Sequence, residues 1–119
     1  MILHIARRSD WERAAARGSY APDSLASEGF VHCSTEAQAV ETANRFFRGQ
    51  RDLVLLWIDP ERLRAKLVFE RPANPADERS AQVFPHIYGP INAEAVKDVI
   101  EFPCESGGTF RLPAELSAK

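Results

Sequence analysis

Leu53-Val54-Leu55-Leu56-Trp57-Ile58 is an unbroken apolar run that stops at Asp59-Pro60. It is too short for an ordinary buried helix, and a strand covered on both faces has this continuous pattern rather than an alternating one. The run therefore predicts a central strand. Upstream, Thr35 and Gln38 match a capping box, and Val40, Ala43, Phe46 and Phe47 recur at helical spacing before Gly49. That spacing predicts a helix from Glu36 to Arg48, with Ser34 or Thr35 as its cap. Downstream, Pro60 to Arg64 fits one helical turn with proline at its start, and Lys66 to Glu70 reads as another strand.

Further out, Ile2 to Ala6 is an apolar run interrupted only by His4, and reads as a first strand. Ser9 and Glu12 match a second capping box, opening a helix that runs to Arg17 and ends at Gly18. Asp23 or Ser24 is placed to cap a short turn containing Leu25, and Phe30 to Cys33 reads as the second strand. Pro85 to Ile91 is short, apolar and bracketed by prolines. Asn92 is placed to cap a brief turn before a strand from Val96 to Phe102, and Ser106-Gly107-Gly108 turns the chain toward a hairpin strand over Thr109 to Leu112. Residues 71–81 form the least ordered internal stretch, and the chain is expected to fray from Pro113 to Lys119. Strands and helices do not alternate as in a doubly wound parallel sheet, since two helices come early and most strands late. The expected fold is α+β: mixed, mainly antiparallel small sheets around a cleft with two main helices, in a single domain over residues 1–119.

A chain of 119 residues can bury one core, and 45% hydrophobic with 27% charged content is ordinary for a globular protein. The net charge of −2 lacks the basic excess that duplex nucleic acid binding needs. Arg45, Arg48 and Arg51 gather near the carboxyl end of the second main helix, where positive charge meets the negative end of the helix dipole. The two cysteines, Cys33 and Cys104, are expected to be reduced, because small disulfide-dependent domains carry more. The first residues lack the sections of a signal peptide, and no run approaches the roughly 20 apolar residues that span a bilayer. A cytoplasmic protein without membrane contact is the expectation.

Each of the three histidines lies in or beside an apolar strand: His4 between Leu3 and Ile5, His32 between Val31 and Cys33, and His86 beside Ile87. Alternation puts Phe30, His32 and Ser34 on one face and Val31 and Cys33 on the other, and puts His86 with Tyr88. One such histidine alone reads as a core residue satisfied by a backbone carbonyl. Three together raise the case for a site, because histidines near a core are readily tuned across neutral pH. Zinc is not expected, since His-Glu-x-x-His, His-x-His and Cys-x-x-Cys are absent and His32 and Cys33 point to opposite faces. Cys33 or Ser34 beside a histidine is a candidate nucleophile, and Ser34 at a helix amino terminus also suits a phosphate or carboxylate. Phosphate-loop and dinucleotide glycine motifs are absent, so neither ATP hydrolysis nor Rossmann-type cofactor binding is expected. Tyr88-Gly89-Pro90 reads as a tight turn in which glycine lets the backbone approach a ligand.

These residues resemble those of a bacterial family known as a domain of unknown function, numbered 952. The shared pattern is a first strand with His4, then Trp11, Gly29-Phe30-Val31-His32-Cys33-Ser34, Asp59-Pro60, a strand ending in Glu70, and Phe84-Pro85-His86-Ile87-Tyr88-Gly89-Pro90. It covers nearly the whole chain up to about Phe102. The family's fold looks like that of the ADP-ribosyltransferases, in which two small sheets embrace a nicotinamide dinucleotide. That resemblance implies NAD as a candidate substrate and puts His4 at the dinucleotide ribose. The Val31-His32-Cys33-Ser34 strand is similar to a Val-His-Leu-Ser segment of RNA 2′-phosphotransferases with the same fold. With the three strand histidines, this resemblance makes His4, His32, Glu70, His86 and Tyr88 the candidate catalytic residues; Arg7, Cys33, Ser34 and Gly89 are the candidate ligand-binding ones. Glu70 departs from the late position of the carboxylate in such enzymes, with His86 or Tyr88 as the groups that would stand there instead. Two functions follow: a transferase that stabilises an oxocarbenium-like centre on a nucleotide or phosphoribosyl substrate, or a non-catalytic ligand-binding or regulatory module using the same cleft.

Overall fold

Leu53–Ile58 forms β4, the middle strand of an antiparallel sheet between β1 (Ile2–Arg7) and β8 (Val96–Glu101). The computed structural model describes residues 1–72, 76, 79, 81–117 and 119. Alternation explains why β4 is apolar without interruption. Val54, Leu56 and Ile58 point with Ile2 and Ala6 into one core, while Leu53 and Leu55 point with Leu3 and Ile5 into another. The first core is closed by Trp11 and Ala14 of α1 (Arg8–Arg17) and by Val31, Cys33 and Ile87. The second is closed by Ala39 and Ala43 of α3 (Glu36–Phe46), with Phe102, Phe110 and Leu116. Each large apolar side chain buried in this way contributes about 1.5–3 kcal/mol, so covering both faces of β4 is a leading source of stability.

A second antiparallel sheet has the order β3-β6-β5, formed by Val31–His32, Phe84–Tyr88 and Lys66–Glu70. Its Val31, Ile87 and Leu67 face the first core, so the opposite face carries the register pair His32 and His86. Ser19–Tyr20 (β2) and Ile91–Asn92 (β7) add a two-residue ladder too short to announce itself in the sequence. The two larger sheets meet at one bridge, where Leu3 and Ser34 exchange main-chain bonds of 2.8 Å. The arrangement is a small α+β domain, as expected. All its pairings among the described residues are antiparallel rather than mixed.

Several local expectations are corrected. The Ser9–Glu12 capping box does not form, because β1 runs straight into a helix that begins at Arg8 with Arg7 as its cap; Asp10 pairs instead with Arg13 at 2.7 Å. Pro22, not Asp23 or Ser24, precedes α2 (Asp23–Glu28). Of the two caps considered for α3, Thr35 is the one used, in the reciprocal box with Gln38. That helix stops at Phe46, before Arg48, and Gly49 serves the following turn with φ 78°. Thr109–Leu112 forms no hairpin strand: Phe110 N–H donates to Asn44 Oδ1 at 2.7 Å, and its ring packs on Phe102. The region from Pro113 is not wholly frayed, since Ala114–Ser117 (α4) is helical and Leu116 is buried. Much of 71–81 lies outside the described residues, but Arg79 is buried with its guanidinium 4.6 Å from the Phe84 ring centre. Among the described residues no helix is long and apolar enough to cross a membrane.

Gly89 is required by packing. A Cβ there would sit 2.7 Å from the Ala65 Cβ, closer than two methyl carbons tolerate. Gly89→Ala is expected to destabilise the fold by about 1–3 kcal/mol. Combining it with Ala65→Gly should recover part of that loss, measured by urea unfolding of both variants.

Candidate functional site

A cleft of about 1140 Å³ runs along the seam between the two larger sheets. His4, Arg7, His32, Cys33, Ser34 and His86 line it, together with Tyr20, Thr42 and Arg79. Glu70, Tyr88 and Gly89 lie outside its lining. Glu70 and Tyr88 reach it only through His86, and Gly89 is committed to Ala65.

His4 marks where the seam opens. Past the Leu3–Ser34 bridge the main chains no longer pair, and the His4 side chain crosses the gap to the His32 carbonyl at 2.7 Å. That carbonyl can only accept, so His4 Nδ1 carries the hydrogen and Nε2 keeps its lone pair. The ring is 7% exposed and tilted against Tyr20 at 5.6 Å between ring centres. Burial drives its pKa down to about 4, the bond to the His32 carbonyl opposes this, and the charge of His32 adds to the fall. His4 is therefore a neutral hydrogen-bond acceptor at physiological pH. Burial, followed by the charges of Asp10 and Asp23, pushes neighbouring Tyr20 up to about 12, so its hydroxyl remains protonated.

His32 and His86 stand opposite each other on β3 and β6, with ring centres 5.6 Å apart. Phe30 holds them in place, stacking on His86 at 4.1 Å and meeting His32 edge-on at 4.8 Å. Each ring has its own carboxylate: Glu28 lies 2.8 Å from Nε2 of His32, and Glu70 lies 2.8 Å from Nδ1 of His86. The Tyr88 hydroxyl also donates to Glu70. The bond from Tyr88, then that from His86, holds the Glu70 carboxyl below its ordinary range, and the same carboxylate raises Tyr88.

The two residues between these groups are less reactive than their types suggest. Cys33 points into the first core, where burial pushes its thiol far above neutrality, so the thiolate needed of a nucleophile does not form. Ser34 is buried and its hydroxyl is 3.3 Å from Thr42 Oγ1. Arg79, in the stretch read as irregular, bonds Thr42 Oγ1 at 2.8 Å, and composition gave no signal of its place in the cleft. Glu28 was also missed, although it stands four residues before His32 across one turn and Gly29. Among the described residues no three His, Cys, Asp or Glu side chains are grouped to hold a metal ion.

The His4 environment sets a pH dependence. An unfolded His4 takes up a proton near pH 6.5, whereas the folded one does so only near pH 4. The unfolded chain thus binds more protons as pH falls through this window, and stability that is complete above pH 6.5 is progressively lost. The expected loss from this group is about 2 kcal/mol between pH 8 and pH 5. His4→Asn, which keeps a donor near the His32 carbonyl, should flatten the slope in urea unfolding measured across that range. An unchanged slope would assign the dependence to other groups.

A family model described as "Protein of unknown function (DUF952)" matches residues 5–99, from within β1 to within β8. The crystal structure of protein CC0527 from Caulobacter crescentus is similar at 32% identity and a TM-score of 0.84, over 98% of this chain and 97% of that one. A crystal structure of a double mutant of CC0527 gives the same values. The solution NMR structure of CC0527 gives 31% identity and a TM-score of 0.75, over 99% and 97% of the two chains. No curated protein matches the chain. With most of its length matched from the first strand to the last, the chain belongs to the family of proteins of unknown function, DUF952.

Proposed function

We propose that the cleft binds a nucleotide-type ligand, NAD-like or phosphoribosyl, in the manner of ADP-ribosyltransferase-fold proteins. The observation that carries this reading is the cleft itself. It lies at the seam where two small sheets part, and three imidazoles and several arginines line it. The neutral Nε2 of His4 suits a ribose hydroxyl, which donates to it. Arg7 and Arg17, which make no ion pair among the described residues, suit phosphate at the end of the cleft formed by α1. In the transferase form of this reading, His32 and His86 face a sugar centre as positive charge develops on it. Their paired carboxylates, Glu28 and Glu70, offset that charge.

One observation favours the second reading, a non-catalytic binding or regulatory module. Glu70, the carboxylate such a transferase would use, is turned toward Tyr88 and His86 and does not line the cleft.

Thermal shift with NAD, ADP-ribose and ribose 5-phosphate tests the shared premise. A ligand at 100 times its dissociation constant is expected to stabilise the fold by about 2.7 kcal/mol. His32→Ala should weaken that stabilisation. Release of nicotinamide from NAD then separates the transferase from the binding module. If millimolar concentrations of all these ligands leave the melting temperature unmoved, the nucleotide reading is wrong.

A further inference from the structure

We infer that His32 and His86 form a general acid–base pair that cleaves a phosphodiester. The inference rests on the nucleotide reading and gives the ligand a reacting bond. The two residues are register partners on neighbouring strands, with ring centres 5.6 Å apart and planes at 77°. Their carboxylates engage different ring nitrogens, Nε2 of His32 and Nδ1 of His86. Among the described residues, Nδ1 of His32 and Nε2 of His86 are left without a protein partner. The His86 Nε2 is not sealed from solvent, since among the described residues no unpaired side-chain nitrogen or oxygen of a buried residue is fully enclosed, and the His32 side chain is half-exposed. Oxygens of a phosphoryl group hydrogen-bond to ring nitrogens at about 2.8 Å, so one such group spans two imidazoles at this separation.

The surroundings of the two rings divide the roles. The His86 side chain is 3% exposed, lies beneath Phe30, and has its Nδ1 hydrogen fixed on Glu70. With Nδ1 as the donor to Glu70, the neutral ring has its lone pair on Nε2, the nitrogen we assign as the base. The His32 side chain is 49% exposed and has Glu28 beside it, which offsets the charge of a protonated ring. It acts as the acid. Arg79 lines the same cleft, bonded to Thr42 Oγ1 and paired with Glu41 at 3.5 Å, and a phosphate held there would share its guanidinium with them.

With a 2′,3′-cyclic nucleotide the step balances as follows. Water oxygen bonds to phosphorus while the bond from phosphorus to O2′ breaks. His86 Nε2 takes the water proton, and His32 Nδ1 gives its proton to O2′. The product is the nucleoside 3′-monophosphate, one water is consumed, and exchange with solvent restores both rings. Glu70 and Tyr88 touch no reacting atom in this scheme and are positioning residues.

The test is hydrolysis of the four 2′,3′-cyclic nucleoside monophosphates by the full chain, with binding of the 3′-monophosphates followed separately by calorimetry. Wild type is expected to turn over at least one of them. His32→Ala and His86→Asn should each lose about 100-fold or more in kcat, as removal of an acid or base does. His32 is half-exposed, so its variant keeps the test decisive if the His86 variant fails to fold. Glu70→Gln should lower kcat with KM unchanged. Binding of a 3′-monophosphate without turnover of any cyclic nucleotide overturns the acid–base pair and leaves the ligand reading standing. Neither binding nor turnover removes both. Turnover that survives in folded His32→Ala shows that the catalyst lies elsewhere.

Discussion

Two main-chain bonds between Leu3 and Ser34 decide the shape of this protein. Among the described residues they are the main-chain bonds that join the two larger sheets directly, and along the seam past them side chains take over. The apolar cores can do this where Val31, Cys33 and Ile87 meet Val54 and Leu56. They cannot do it at the seam, where the His32 carbonyl would face a gap. A buried carbonyl without a donor costs free energy comparable to a lost hydrogen bond, and the His4 imidazole removes that cost. The residue that stabilises the seam is thereby also the one that leaves an unpaired ring nitrogen beside the cleft.

The remaining polar groups extend the same logic. His86 is almost fully buried, yet its ring has a carboxylate partner in Glu70 and an aromatic cover in Phe30. Glu70 in turn has the Tyr88 hydroxyl, which reaches the surface. A chain of hydrogen bonds thus links solvent to the floor of the cleft through the second sheet. His32 repeats the pattern with Glu28, in a wetter setting. Two rings of one type, in contact with each other, are held in unlike environments, which is the usual way a site separates the duties of donor and acceptor.

Much of this architecture was legible because it follows from periodicity. The continuous run at Leu53–Ile58, the helical spacing before Phe46 and the alternation through Phe30–Ser34 each depend only on residues near one another in the chain. Alternation also separated His32 from Cys33 correctly, since one faces outward and the other lies in the first core. What failed depended on contacts between distant residues. Ser9 looked like a cap, but a strand continuous with the helix left no loop for it to close. Leu116 looked like part of a tail because its partners, Phe102 and Phe110 among them, come from the rest of the second core. Arg79 was invisible because its place is set by Thr42 on α3 and by Phe84 on β6, and no local pattern encodes such a meeting. Gly89 was seen as special from the turn it makes before Pro90, and the neighbour that excludes a side chain there, Ala65, lies 24 residues away and could not be read from the sequence.

Cys33 can report motion of the seam. Its sulfur is sealed in the first core one residue from the bridge, on the strand segment that carries His32. A thiol reagent can meet it only when the two sheets separate, while Cys104 is partly open to solvent throughout. The ratio of labelling rates at the two sulfurs would therefore clock how often the seam breathes. A ligand that clasps both sheets would slow that clock without touching the thiol.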